Sequence, residues 1–297
     1  MVIKHLVLSG GGPTGLTIYG ILKDLSRMKF WNIENIKTIY GTSVGCLIAV
    51  ILTLNLNWND LDNYLIKENW EEILSLNSGN ILQLYSCKGL FDHTFIESIL
   101  IPLLKMRDIS PTVTLKEYFQ LTKIELHMFS VNLNDENLSS IDISYKTHPN
   151  LQLIKAVCMS SAIPLLFKPV FYEGGYYVDG GLINNFPAKE CLENEDCDED
   201  ETLFIQKKVK NDKLELKEES TILDLINVFV KRIHNKININ FDKKLRYNIE
   251  IHKEIHKTDT LIDIYEIFED EQLRIKSIKY GESLGKEFRR RLREDNL

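Results

Sequence analysis

The clearest structural signal in this chain comes from the segment Ile39-Tyr40-Gly41-Thr42-Ser43-Val44-Gly45-Cys46-Leu47-Ile48-Ala49-Val50. A short apolar run with β propensity enters a Gly-x-Ser-x-Gly turn, and a nearly all-apolar helix follows, as expected for a buried strand and helix of an α/β sheet. So tight a turn pushes the Ser43 hydroxyl out of the backbone envelope, and Gly41 and Gly45 leave room for a substrate. The pattern predicts a nucleophile elbow with Ser43 as candidate nucleophile. A chance match is the alternative, and the apolar segments on both sides argue against it.

The composition is that of a large α/β protein. The chain has 297 residues, of which 44% are hydrophobic, and this is enough to bury a sizeable core. We expect a single domain over residues 1–297, with a motif core at about 5–190 and a C-terminal strand and helices, 202–297, packed on it. The net charge of −7 argues against a general nucleic-acid-binding protein, which needs a basic surface for phosphate contacts.

The cysteines and the apolar runs bear on the cellular location. Five cysteines without CxxC or metal-ligand spacing indicate reduced thiols, and therefore a reducing compartment. The segment from Met1 to Ser9 is followed directly by glycines, so it is too short to contain the apolar core and the cleavage site of a signal peptide. The longest apolar run, Cys46 to Leu56, is about half of the ~20 residues that a membrane span requires. We expect a cytoplasmic protein without a transmembrane segment that contacts membranes only at their surface.

A glycine loop near the N-terminus is a candidate anion site. The apolar run His5 to Leu8 leads into Gly10-Gly11-Gly12-Pro13-Thr14-Gly15, and helical spacing follows. Backbone N–H groups at such a helix start can bind the oxyanion of acyl transfer or, as in a Rossmann fold, a dinucleotide pyrophosphate. A dinucleotide fold expects an acid at the end of its second strand, but Glu34 precedes that strand. The nucleotide-binding interpretation is therefore the weaker of the two.

Three further segments leave alternatives open. The amphipathic run from Phe95 to Leu104 can wall an acyl-chain pocket or simply pack as a core helix. The acidic run from Glu190 to Glu201 is a solvated loop or, less favoured, a calcium site. A basic amphipathic helix that contains Ile278 and Arg289 closes the chain. It is expected to dock on the domain, with adsorption to anionic lipid as the minority alternative.

Asp179 is the best candidate for a general base. It ends the apolar run Tyr176-Tyr177-Val178 and precedes Gly180 and Gly181, so it can approach a serine without obstruction by neighbouring side chains. An ordinary turn is the alternative. A serine hydroxyl needs a positioned base to take its proton, and the seven histidines occur in no recognisable catalytic context.

Four motifs over roughly residues 5–190 occur in an order that resembles one protein family. They are the glycine loop Gly10-Gly11-Gly12-Pro13-Thr14-Gly15, the elbow Gly41-Thr42-Ser43-Val44-Gly45, the segment Ser160-Ser161-Ala162-Ile163-Pro164-Leu165-Leu166-Phe167, and Asp179-Gly180-Gly181 with Asn185-Phe186-Pro187 after it. This set is similar to that of the patatin-like phospholipases, which are serine acyl hydrolases with a Ser-Asp dyad.

The resemblance implies roles for particular residues. Ser43 would be the nucleophile and Asp179 the base. The oxyanion hole would be formed by backbone N–H groups of Gly10, Gly11 and Gly12. The remaining motif glycines, Gly15, Gly41, Gly45, Gly180 and Gly181, would support the turns.

Two positions depart from the family pattern. Thr14 stands where many members carry Lys or Arg, which removes a charge near the anion site but leaves the backbone donors in place. Ser160 replaces the common alanine, and we expect Ser160 and Ser161 to be capping or packing hydroxyls.

These observations predict a three-layer α/β/α fold with a mostly parallel central sheet. We expect a lipid acyl hydrolase of the phospholipase A type, acting at a membrane surface on phospholipid or related esters, without a metal or organic cofactor. Two alternatives remain open: a catalytically silent lipid-binding module of the same fold, and a nucleotide-binding protein. Positional specificity, lipid class, regulation and oligomeric state are not accessible from the sequence.

Overall fold

The computed structural model describes residues 2–68, 70, 88–196, 199–208, 245–252 and 266–294, together with a few residues between 216 and 232. The strands are β1 His5–Leu8, β2 Thr38–Thr42, β3 Gly89–Phe91, β4 Glu125–Asn132, β5 Ser140–Ile143, β6 Leu165–Phe167, β7 Val170–Tyr172, β8 Gly175–Asp179, β9 Thr202–Lys207 and β10 Asn248–Ile251. The helices are α1 Gly15–Arg27, α2 Val44–Thr53, α3 Trp58–Lys67, α4 Thr94–Lys105, α5 Leu115–Thr122, α6 Leu153–Ser161, α7 Ala188–Glu195 and α8 Glu271–Glu294.

The main sheet has the strand order β10-β9-β1-β2-β4-β8-β7, and β5 also pairs with β4. The strands from β10 to β4 are parallel, whereas β5 and β8 are antiparallel to β4 and β7 is antiparallel to β8. The short strands β3 and β6 form a separate parallel pair.

Both faces of the sheet are apolar, because successive strand residues point to opposite sides. Leu6 and Leu8 of β1 belong to a large core that includes residues of α1, α2, α4 and α6. Val7 points the other way, into a smaller core that includes Ala188 and Cys191 of α7. Helices therefore cover the sheet on both sides, which confirms the predicted three-layer fold with a mostly parallel sheet.

Strand β4 brings two distant parts of the chain together. Its first half pairs with β2, so that Thr42 lies opposite Phe129, and its second half pairs with β8, so that Asp179 lies opposite Ser130. The other edge of β4 is taken by β5, which pairs with Met128 through Val131. β2 and β8 therefore lie along the same edge of β4 and end next to each other, which places the residue after Thr42 beside Asp179.

The C-terminal helix α8 docks against α1. A Cβ atom on Gly281 would lie 2.1 Å from the Thr17 carbonyl oxygen, and one on Gly20 would lie 2.2 Å from the Ile278 carbonyl oxygen, so the two backbones touch where both helices carry glycine. The Arg289 guanidinium forms an ion pair of 2.9 Å with Asp24 on α1. The structure thus shows the docked arrangement that was favoured for this helix.

The structure corrects one expectation about the acidic run, and it also bears on membrane spans. Residues from Glu190 to Glu195, expected in a loop, belong to α7, while 197 and 198 lie outside the described residues. None of the helices in the described part of the chain combines the length and the apolar character that crossing a bilayer requires.

Candidate active site

Ser43 sits at the turn between β2 and α2 in a strained conformation, with φ of 56° and ψ of −124°. A non-glycine residue rarely adopts a positive φ, and such strain persists only where the surrounding structure holds it. The surroundings of the turn leave no space for side chains at the two motif glycines. A Cβ on Gly45 would lie 2.4 Å from the Leu8 carbonyl oxygen, and one on Gly41 would lie 2.9 Å from the Cys46 nitrogen. The local geometry matches the predicted nucleophile elbow.

Asp179 is buried, and its carboxylate interacts with the Ser43 hydroxyl. It also accepts a hydrogen bond of 2.7 Å from the Gly181 N–H. Burial raises the pKa of Asp179 to about 6, and the contacts with Ser43 and Gly181 partly oppose that rise because they stabilise the charged form. In the described part of the chain, no histidine hydrogen-bonds to either residue.

Ser160 holds the backbone of the elbow. The Ser43 N–H donates to the Ser160 Oγ at 3.0 Å, and the Ser160 hydroxyl donates to the Phe129 carbonyl oxygen at 2.5 Å. Cys46 Sγ lies 3.1 Å from the same Oγ. The sequence analysis expected Ser160 to be a capping or packing hydroxyl and did not predict this connection. The signal that could have revealed it is the serine at a position where the family commonly has alanine.

The glycine loop lies against the serine, but its three amides are not equivalent. A Cβ on Gly10 would lie 3.2 Å from the Ser43 Cβ, which places the loop beside the elbow. The Gly10 N–H donates to the Asn185 carbonyl oxygen at 3.0 Å. The prediction that Gly10 supplies an oxyanion donor is therefore wrong, since its proton is already used. The amides of Gly11 and Gly12 have no hydrogen-bond acceptor among the described residues.

A lysine from another strand reaches the glycine loop. The Thr14 hydroxyl closes the loop by donating to the Gly11 carbonyl oxygen at 2.6 Å. The side chain of Lys207, at the end of β9, passes over the loop. A Cβ atom on Gly11 would lie only 2.7 Å from the Lys207 Cδ. Lys207 thus places a basic side chain at the loop although it is distant from Thr14 in the sequence.

An apolar cavity begins at Ser43 and extends into the core. Its walls come from the glycine loop, α2, α4 and segments near residues 65–70 and 161–167, and from residues 267–274. Lining side chains include Leu16, Val44, Leu47, Ile48, Ile51, Leu65, Trp70, Phe95, Ile96, Ile99, Phe167 and Phe268. The run from Phe95 to Leu104, for which two interpretations were open, both packs as a core helix and supplies cavity wall.

The cavity contains one buried cation that is fully engaged elsewhere. Arg274 donates to the backbone carbonyl oxygens of Ile66, Ile267 and Phe268, so its guanidinium is held by the surrounding backbone. The described residues contain no cluster of three or more His, Cys, Asp or Glu side chains arranged to hold a metal ion.

Comparisons with known proteins identify a family and two viral relatives. The family model described as patatin-like phospholipase matches residues 6–192. A protein of Invertebrate iridescent virus 6, named as a probable lipid hydrolase, is 31% identical over 62% of this chain. An uncharacterised protein of Acanthamoeba polyphaga mimivirus is 27% identical, also over 62% of the chain. The match spans 61% and 60% of those two relatives.

Among solved structures, VipD from Legionella pneumophila has a similar fold. The match covers 97% of this chain and 67% of VipD, with a TM-score of 0.55 and 16% sequence identity. This likeness concerns the arrangement of strands and helices, and it agrees with the fold derived above.

Replacing Ser160 with alanine is expected to destabilise the fold by about 1–3 kcal/mol, because the buried Ser43 N–H loses its acceptor. The neighbouring buried hydroxyl of Ser161 has no hydrogen-bond partner among the described residues, so Ser161→Ala is the matched control and should cost much less. Urea denaturation of both variants measures the difference. Equal losses of stability would show that the Ser160 contact is not the cause.

Asp179→Asn is expected to be more stable than the parent protein at about pH 8. The folded-state pKa of about 6 exceeds the ordinary 3.8, so the parent loses about 3 kcal/mol of stability as the pH rises between these values. The neutral asparagine avoids that loss, and the difference between the proteins should vanish below about pH 4.

Asp135→Asn should change the stability at higher pH in the opposite direction to Asp179→Asn. Backbone hydrogen bonds hold the pKa of Asp135 below its ordinary value, so its carboxylate stabilises the fold at higher pH and the substitution should weaken it there. Urea unfolding at several pH values tests both. If the stability of Asp179→Asn relative to the parent does not rise between pH values near 4 and 6, the assigned cost of burying Asp179 is wrong.

Proposed function

The chain belongs to the patatin-like phospholipase family, and from this premise we propose that it cleaves fatty-acyl esters of membrane phospholipids or related lipids. The observation that carries the proposal is that the pairing of β2 and β8 with β4 brings the Ser43 hydroxyl to the buried Asp179 carboxylate, with which it interacts. The viral relative named as a probable lipid hydrolase supports the same reaction class.

The first step is attack of Ser43 on the ester carbonyl. Asp179 accepts the hydroxyl proton while the Ser43 Oγ bonds to the carbonyl carbon, whose C=O π electrons move onto oxygen. A carboxylate with a pKa near 6 is ionised at neutral pH and is a stronger base than an ordinary aspartate. Burial of Asp179 therefore serves the reaction although it costs stability.

The developing oxyanion needs donors that are already in place. The amides of Gly11 and Gly12, which have no acceptor among the described residues, belong to a loop that lies against Ser43. Each such donor is typically worth about 3–4 kcal/mol of transition-state stabilisation. Collapse of the intermediate transfers the proton from Asp179 to the leaving alcohol. Water, activated by Asp179, then hydrolyses the acyl-enzyme and regenerates Ser43.

The apolar cavity indicates the substrate class. A chain of methylene groups that enters it is surrounded by aliphatic and aromatic side chains from α2 and α4, with the reacting carbonyl left at Ser43. Burial of each methylene contributes about 0.8 kcal/mol. The cavity thus favours esters of long fatty acids over short or polar acyl groups.

Ser43→Ala is expected to abolish ester hydrolysis and to prevent covalent labelling by a fluorophosphonate, because both need the Ser43 oxygen. The labelled peptide of the parent protein, identified by mass spectrometry, should contain Ser43. Ser161→Ala removes a hydroxyl that has no hydrogen-bond partner in the part of the chain that the structure describes, so this variant should still be labelled at Ser43. Absence of labelling in the folded parent protein would instead support a catalytically silent lipid-binding module.

Ile99→Trp is expected to shorten the acyl chain that the enzyme accepts, because Ile99 lines the cavity and a larger side chain fills it. The kcat/KM for a hexadecanoyl ester should fall about 10-fold or more, while that for a butanoyl ester changes little. Lys105→Trp places the same side chain on an exposed position of α4 as control. Equal losses for both esters would contradict the assignment of the cavity.

A further inference from the structure

A second cleft lies behind the wall of the acyl cavity. Its lining includes Lys88, His93, Glu97, Lys155, Lys168 and Phe171. The two spaces are separated by α4 and by the end of β6. Phe167, the last residue of β6, lines the acyl cavity, whereas the next residue, Lys168, lines the cleft. On α4, Ile96 lines the acyl cavity and Glu97 lines the cleft.

The cleft is basic although the protein as a whole is acidic. Three lysines, Lys88, Lys155 and Lys168, line it with a single carboxylate, Glu97, in a chain of net charge −7. In the part of the chain that the structure describes, none of the three ammonium groups forms an ion pair. With three ammonium groups and one carboxylate, the lining of the cleft has a net positive charge.

Aromatic side chains hold two of these lysines. The Lys88 ammonium donates to the Tyr176 hydroxyl at 2.9 Å and lies 4.5 Å from the centre of that ring. Lys155 lies 5.0 Å from the centre of the Tyr172 ring. Such cation–π contacts orient an ammonium group without neutralising it, so the charge remains available to an anion.

The positive groups also act on each other across the cleft. The pKa of His93 is lowered by burial and by the positive charges of Lys168 and Lys155, which shows that these side chains share one electrostatic environment. A bound anion would relieve this repulsion. Among residues that face His93, Asp92 is the acid that opposes the effect.

An exposed aromatic side chain stands at the rim of the cleft. Phe171 of β7 is 57% exposed, and its ring centre lies 5.1 Å from that of Tyr176, next to the lysine site. Membrane-interface surfaces combine basic residues with exposed Trp, Phe or Leu side chains. Phe171 supplies such an apolar side chain next to the lysines of the cleft.

We propose that this cleft binds the phosphate of an anionic phospholipid headgroup and so docks the protein on an anionic membrane surface. Lys88, Lys155 and Lys168 contact the phosphate and Phe171 enters the interface. The choice of a lipid rests on the proposed function, which it deepens by naming the surface that meets the membrane. Docking there places the lipid surface behind one wall of the acyl cavity.

The test measures vesicle binding in the Ser43→Ala background, so that loss of hydrolysis does not alter the readout. The protein is mixed with sedimentable vesicles of phosphatidylcholine alone, or of two parts phosphatidylcholine and one part phosphatidylserine. Binding should need phosphatidylserine and weaken with added salt. The combined substitution Lys88→Gln, Lys155→Gln and Lys168→Gln should lower the affinity about 10-fold or more.

A control removes equal charge elsewhere: Lys116→Gln, Lys189→Gln and Lys276→Gln, all at exposed positions outside the cleft. It should bind nearly as the parent does, and thermal unfolding should show that both triple variants are folded. Undiminished binding by the cleft variant, or an equal loss in the control, overturns the proposal. Binding of inorganic phosphate, seen by calorimetry and lost in the cleft variant, without any vesicle binding overturns the membrane assignment.

Discussion

The pairing of two strands along one edge of β4 is the constraint on which the site depends. β2 delivers Ser43 and β8 delivers Asp179, and their ends meet because they occupy consecutive positions, Phe129 and Ser130, of the same strand. Neither residue reaches the other through local sequence. A slip of one residue in either register would turn its side chains to the opposite face of the sheet and separate the dyad.

Local motifs made much of this arrangement predictable. The elbow at Ser43, the glycine loop and the aspartate before two glycines each have a backbone conformation that a few neighbouring residues determine. The three-layer fold followed from apolar runs that alternate between strand and helix. The juxtaposition of Ser43 and Asp179 required the chemical argument that a serine needs a base, together with a family resemblance.

Contacts between distant segments were beyond that kind of inference. The residues around Gly10 do not predict that its N–H donates to the Asn185 carbonyl oxygen. Those around Thr14 do not predict that Lys207 passes over the same loop. Ser160 illustrates the same limit, because its hydroxyl joins the elbow to β4 through the Phe129 carbonyl. Each depends on how strands far apart in sequence are ordered in the sheet.

The acyl cavity is lined by side chains that also form the main hydrophobic core, such as Ile48, Ile96 and Phe95. Under the proposed function, substrate specificity and folding therefore depend on the same residues. A substitution that reshapes the cavity also repacks the interior, so a change of specificity carries a cost in stability. Lys88 and Lys168 of the second cleft are exposed, so substitutions there leave the packing of the core unchanged.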